Sequence, residues 1–156
     1  MPVNASSRSA LSRNWNGATN TAQFTIWDDP VKLFRDSVDI KIAGATETLT
    51  NFPALVRISE KRLVGFLYSR AGSDGSNLVF LDGDNSLPHE VDTWSPSGES
   101  LVWVLIPELP PEGKTITMAW NLKEGRTPPK NDPKQVWNDN YVGVWHMNAS
   151  GTTIAD

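Results

Sequence analysis

The sequence predicts an all-β protein, an antiparallel β-sandwich of jelly-roll-like type with at most one short helix. Apolar residues recur at every second position in several short runs, which is the spacing of half-buried strands. Turn-forming glycines and prolines separate these runs. Many short strands at fairly even spacing favour two facing antiparallel sheets.

The individual strands follow from residues that share one face. Adjacent side chains on a strand point to opposite sides, so alternating apolar positions define the buried side. A further short run, NLVFL, ends at the turn sequence DGD. The face-sharing residues are, in chain order, Val38, Ile40 and Ile42; Phe52, Ala54, Val56 and Ile58; and Ile116, Met118 and Trp120.

The run SLVWVLIPEL, at positions 100–109, is apolar on both faces of an extended chain. This pattern predicts an inner strand. We expect the opposing sheet to cover one face, and a loop or a neighbouring domain to cover the other. The two faces carry Leu101, Trp103 and Leu105 on one side and Val102, Val104 and Ile106 on the other.

The one candidate helix lies in SEKRLVGFLYSRAG, at positions 59–72. Ser59 is a suitable N-cap, and Gly72 is a suitable terminator. Because Gly65 interrupts the segment, we expect only one or two helical turns.

The domain organisation follows from composition. Residues 1–22 are rich in Ser, Asn, Ala and Thr and read as a flexible tail or linker, and residues 23–140 form the sandwich. Residues 141–156 restart an apolar run, which predicts a closing strand or the opening of a further domain within a longer protein.

Charge and composition exclude several classes of protein. A net charge of -4 argues against nucleic acid as a partner. The chain has no cysteine, which excludes disulfides and a cysteine nucleophile. No stretch is apolar enough to predict insertion into a membrane. The first residues lack the apolar core of a signal peptide, and we expect a leader to be absent from this chain.

Four motifs resemble a bacterial family, domain of unknown function 2341, in their linear order. The motifs are TLTNFPALVRIS, SNLVFLDGD, HEVDTWSPSGESLVWVLIPEL and VWNDNYVGVWHM. The resemblance covers roughly residues 31–140 and implies a β-sandwich module in an extracellular or cell-surface protein. Members often precede a concanavalin A-like lectin/glucanase domain, so the resemblance implies that residues 141–156 open such a lectin-like domain. It supplies no catalytic residue.

An acidic loop, LDGDNSLPHEVD, is the candidate metal site. Asp82 and Asp84 are two residues apart across a glycine, and calcium prefers several such oxygen ligands. The alternative is a hairpin turn in which these side chains bond to the local backbone, and this is the favoured interpretation. No other cofactor is predicted.

The same loop contains a candidate carboxylate pair. Glu90 and Asp92 are two residues apart and would share a face of a strand. Two carboxylates placed close together in this way could act as the acid and the base of a glycoside hydrolase. The favoured alternative is a solvated outer face, because no nucleophile or base motif accompanies the pair.

Seven tryptophans are the most unusual feature of the composition. Trp103 and Trp120 lie within strand patterns and are predicted to be core residues. Trp27, Trp94 and Trp137 lie near strand ends, where an exposed ring could stack on a sugar with Glu90 and Asp92 nearby. Alternatively these rings pack loops against the sandwich or against the next domain.

These observations predict a non-catalytic extracellular module that binds glycan or aids adhesion at a bacterial surface. The main alternative is a structural spacer that packs against adjacent domains of the same protein. A glycoside hydrolase is the third hypothesis.

Overall fold

The computed structural model describes residues 33–129, 131–137 and 141–144, together with the strand backbones at 148–150 and 153–155. Trp27 and the tail predicted at 1–22 lie outside the described residues. The strands in chain order are β1 (Phe34–Ile42), β2 (Leu49–Ile58), β3 (Val79–Asp82), β4 (Asn85–Leu87), β5 (His89–Thr93), β6 (Ser100–Leu109), β7 (Lys114–Leu122), β8 (Asn148–Ser150) and β9 (Thr153–Ala155).

Two antiparallel sheets confirm the predicted all-β class. One sheet has the order β1-β7-β3-β4, and the other has the order β2-β6-β5. Among the described strands, the short strands β8 and β9 pair with each other alone. The predicted alternation is confirmed in β1, β2 and β7, whose predicted inward residues belong to one hydrophobic cluster or pack against it.

The hydrophobic core lies between the two sheets and draws side chains from both. Val102, Val104 and Ile106 of β6 are fully buried, and they pack in one cluster with inward residues of β2, β3, β4 and β7. The opposite face of β6 is only half-buried, at Leu101 and Trp103 among others. The inner-strand prediction is therefore confirmed, with one face more completely covered than the other.

The predicted helix is reduced to two separate turns. Ser59 caps the first turn as expected, because its Oγ accepts from the Arg62 backbone N–H at 3.2 Å. Gly65 has a φ of 87°, in the left-handed region that ends a helix. The second turn is a short 3-10 helix at Tyr68–Arg70.

A buried polar network fastens this connection to the sandwich. The Tyr68 hydroxyl donates to the Ile58 carbonyl at 2.9 Å and lies 3.0 Å from the Ser100 Oγ. The Ser100 Oγ also accepts from the Ser95 backbone N–H at 2.8 Å. Because Ser100 is fully buried, these groups depend on one another for their hydrogen bonds.

Ser100→Ala is therefore expected to lower the free energy of unfolding by about 1–3 kcal/mol, because it leaves the Ser95 N–H without its acceptor. Urea denaturation measures the effect. The control is Ser97→Ala in the exposed turn that precedes β6, which should change stability by less than about 0.5 kcal/mol. Equal effects of the two substitutions would contradict a role for the network.

Candidate functional site

Three aromatic rings form a row on the outer face of the β2-β6-β5 sheet. The ring centroids of Trp103 and Trp137 are 5.2 Å apart, and those of Trp137 and Tyr141 are 5.3 Å apart. Both contacts are edge-to-face, the geometry that aromatic pairs prefer. We call Trp103, Trp137 and Tyr141 the outer aromatic row.

Glu90 orients the middle ring of this row. Its Oε2 accepts a hydrogen bond from the Trp137 Nε1 at 2.5 Å. Glu90 also lies opposite Trp103 in the register of β5 and β6. Two residues predicted as ligand-binding, Glu90 and Trp137, are thus brought together although they are far apart in sequence.

The segment that carries Trp137 is fastened to the edge strand β5. The Asn131 side-chain amide accepts from the His89 backbone N–H at 3.0 Å and donates to the His89 carbonyl at 2.8 Å. In this way one side chain satisfies both backbone groups, as a neighbouring strand would. Val136 is fully buried and anchors the following turn. These contacts give residues 131–137 a defined position beside β5.

Tyr141 reaches a cleft at the start of β2. The cleft has a volume of about 370 Å³ and is lined by residues 48–53 and Tyr141. The side chain of Tyr141 is 43% exposed, so one ring of the outer aromatic row is accessible. Sequence reasoning did not select Tyr141, since the apolar restart at 141 gave no sign that this ring packs on Trp137.

Asn51 stands out in the wall of this cleft. Its φ is 50°, a left-handed conformation inside a β-strand. Asparagine tolerates this region better than most residues with a side chain. Together with Thr48 and Thr50, it gives the cleft amide and hydroxyl groups beside the Tyr141 ring.

A β-bulge interrupts the alternation that the prediction of a shared face for Glu90 and Asp92 assumed. The register pairs Val91 with Val102 and Thr93 with Leu101, so Asp92 is the extra residue of a β-bulge. Thr93 is therefore the residue paired with Leu101, a register position that simple alternation assigns to Asp92. Asp92 instead accepts from the Thr93 hydroxyl at 3.0 Å.

Trp94 packs a loop against the sandwich, which is the alternative considered for it above. Its ring lies 5.0 Å from that of Tyr68 in an edge-to-face contact. A Cβ built on Gly75 would lie 2.9 Å from Trp94 ring carbons, so the loop backbone rests closely on the indole. Trp94 is not part of the outer aromatic row.

Asp82 and Asp84 flank a tight hairpin between β3 and β4. Asp82 pairs with Asn85, and Gly83 supplies the positive φ of the two-residue turn. The Asp82 carboxylate forms an ion pair with Lys114 at 2.6 Å, while Asp84 is exposed. No group of three or more acidic or histidine side chains with metal-binding geometry occurs in the part of the chain that the structure describes. This arrangement favours the hairpin interpretation.

His89 is a buried side chain beside the site. Its ring packs edge-to-face on Phe80 at 5.1 Å, and its Nδ1 lies 3.3 Å from the Leu87 carbonyl oxygen. Burial lowers the pKa of His89, because the charged form loses its hydration.

Stability should consequently fall as the pH drops through the ordinary histidine range. Below about pH 6.5 the unfolded chain binds a proton at His89 that the folded protein resists, with a limiting slope of about 1.4 kcal/mol per pH unit. The loss levels off below the lowered pKa of the folded state. Denaturation midpoints measured between about pH 7 and pH 5 test this.

His89→Gln supplies the control for this prediction, because it removes the titrating ring. It should flatten the pH dependence in that window. The carboxyl pKa values of Glu99 and Asp74 are also lowered, chiefly by hydrogen bonds from Arg62 and Ser76 respectively. These two carboxyls therefore affect stability only in solution more acidic than this window. An unchanged slope in His89→Gln would contradict the assignment.

A second cleft, of about 530 Å³, lies between β1 and β2. Each of these strands is at the edge of its sheet among the described strands. Half-buried side chains of the sandwich line the cleft, including Ile40, Ile42 and Phe52. Arg57 and Arg62 also line it, and Glu99 binds both guanidinium groups.

Comparisons of the chain with family models, curated proteins and solved structures found no match. The resemblance to domain of unknown function 2341 stays a prediction. Within the described ranges, no helix is both long and apolar enough to cross a bilayer.

Proposed function

We propose that this domain is a non-catalytic carbohydrate-binding module whose site comprises the outer aromatic row and the cleft beside Tyr141. The observation that carries the proposal is the accessible Tyr141 ring at the edge of a cleft that contains hydroxyl and amide groups. A sugar ring presents an apolar face and a rim of hydroxyls, and this site offers a partner to each.

The packing behind Tyr141 supports binding by a preformed surface. Its ring packs on Trp137, which in turn packs on Trp103 and donates to Glu90. A ring held by its neighbours loses little conformational freedom when a ligand stacks on it. Binding to such a preformed surface therefore costs less conformational entropy than binding to a loop that becomes ordered only with the ligand.

The proposed location is outside a bacterial cell, in an exported or surface protein. The support for this comes from the four ordered motifs and the family they resemble. A glycoside hydrolase has less support, because the Glu90 carboxylate accepts from an indole N–H and the Asp92 carboxylate accepts from the Thr93 hydroxyl.

A structural spacer or interaction domain is the second candidate, and the β1/β2 cleft favours it. Two strands at sheet edges with apolar side chains between them can accept contacts from an adjacent domain. Under this candidate, self-association through apolar surface is expected of the isolated chain, and light scattering would detect it.

Tyr141→Ala is expected to weaken glycan binding by about ten-fold, because stacking on an aromatic ring contributes about 1–1.5 kcal/mol. Tyr141→Phe is the matched control: it keeps the ring and should retain most of the affinity. Isothermal titration with soluble polysaccharides measures both variants. Binding unchanged in Tyr141→Ala would contradict this site, and wild-type protein that binds no glycan would contradict the proposed function.

A further inference from the structure

We infer that the cleft beside Tyr141 selects uncharged sugars over anionic ones such as uronates and sulfated sugars. This inference rests on the proposed function and specifies its ligand class. Residues 48–53 and Tyr141, which line the cleft, carry no charged side chain. A carboxylate or sulfate on the ligand would therefore find no cation among these described residues to replace its hydration.

Two acidic residues strengthen the selection. Glu47 directly precedes Thr48, and Glu108 lies opposite Thr50 in the register of β2 and β6. Both are exposed and stand beside the residues that line the cleft. Their charges repel an approaching anion, and salt weakens that repulsion.

Arg57, the one basic residue of β2, is engaged elsewhere. Arg57 forms a hydrogen bond and an ion pair with Glu99, which also binds Arg62. An anionic sugar could recruit Arg57 only by competing with this carboxylate. Neutral sugars need no such exchange, since threonine hydroxyls and the Asn51 amide serve both as donors and as acceptors.

Asn51→Gly tests the contribution of the Asn51 amide to binding without straining the backbone. Glycine adopts the positive φ of position 51 freely, so the variant deletes the amide but preserves the course of β2. It should weaken binding of a neutral glucan by about five- to ten-fold with little loss of stability. Full retention of affinity would overturn the assigned role of the amide.

The selection is tested by titrating the full chain with a neutral soluble glucan, a neutral mannan, polygalacturonate and a sulfated polysaccharide at low ionic strength. We expect at least one neutral polymer to bind, with the anionic polymers at least about ten-fold weaker. The double variant Glu47→Gln, Glu108→Gln should reduce the difference in affinity between neutral and anionic polymers.

Anionic binding as tight as neutral binding would overturn the selection and leave the proposed function intact. A double variant with an unchanged ratio would overturn the role of the two carboxylates in it. No binding to any polymer would instead refute the proposed function, and the inference with it.

Discussion

Replacement of Trp120 by alanine is expected to lower the free energy of unfolding by about 3–5 kcal/mol. Trp120 is 1% exposed and packs on Phe66 with ring centroids 5.3 Å apart. It lies on β7, and its side chain belongs to the cluster shared by the two sheets. Since domains of this kind have total stabilities of about 5–15 kcal/mol, such a loss leaves a large unfolded fraction in mild denaturant. Urea unfolding followed by circular dichroism measures it.

Trp120→Phe separates the packing of the ring from its polar atom. The Trp120 Nε1 is buried and has no hydrogen-bond partner among the described residues. Removing this N–H therefore sacrifices no hydrogen bond to a described residue, and we expect the smaller volume to cost about 1–2 kcal/mol of stability. A phenylalanine variant as unstable as the alanine variant would contradict a role based on apolar packing.

Gly113→Ala is expected to destabilise the fold by about 3 kcal/mol or more. Gly113 has a φ of 85°, and a Cβ there would lie 2.5 Å from the Ile42 carbonyl oxygen and 3.0 Å from the Gly44 nitrogen. The turn between β6 and β7 thus contacts the end of β1 backbone to backbone. A Cβ at Gly44 would similarly clash with the Pro111 carbonyl. Neither of these two backbone segments can therefore move aside easily.

Gly125→Ala is the matched control for this prediction. Gly125 also has a positive φ, 72°, but no atom lies within 4 Å of a Cβ built there. Alanine at 125 should therefore cost only the conformational strain, about 1 kcal/mol. Thermal or urea denaturation compares the two variants, and equal losses would contradict the close contact between the turn and β1.

The sandwich could be predicted because its strands follow a simple rule of alternation. Val102, Val104 and Ile106 are buried together, as are Ile116 and Met118, in agreement with the period of two. The Asp-Gly turn signal at 82–83 likewise marks a real hairpin. These features depend on local spacing, which one sequence displays directly.

The site was harder to predict because it depends on exceptions to local rules. One inserted residue in β5 moves Asp92 out of alternation, and no residue type marks that bulge in the sequence. The contact between Asn131 and His89 joins positions 42 residues apart. Tyr141 acquires its role only because that contact and the buried Val136 bring the segment over the sheet.

Tryptophan count alone was also a poor guide to the site. Trp94 and Trp137 have similar settings beside turns in the sequence, yet one packs under a loop at Gly75 and the other lies in the outer aromatic row. Which ring reaches the surface depends on long-range packing, so their exposure could not be read from neighbouring residues.

The indole N–H resonances of ¹⁵N-labelled protein, followed during titration with a neutral soluble glycan, test the central claim most directly. Trp137 packs on Tyr141 and donates to Glu90, so its resonance should shift progressively with ligand. The resonance of the buried Trp120 should stay in place. Shifts confined to Trp94, or a spectrum unchanged by every glycan, would contradict a binding surface at the outer aromatic row.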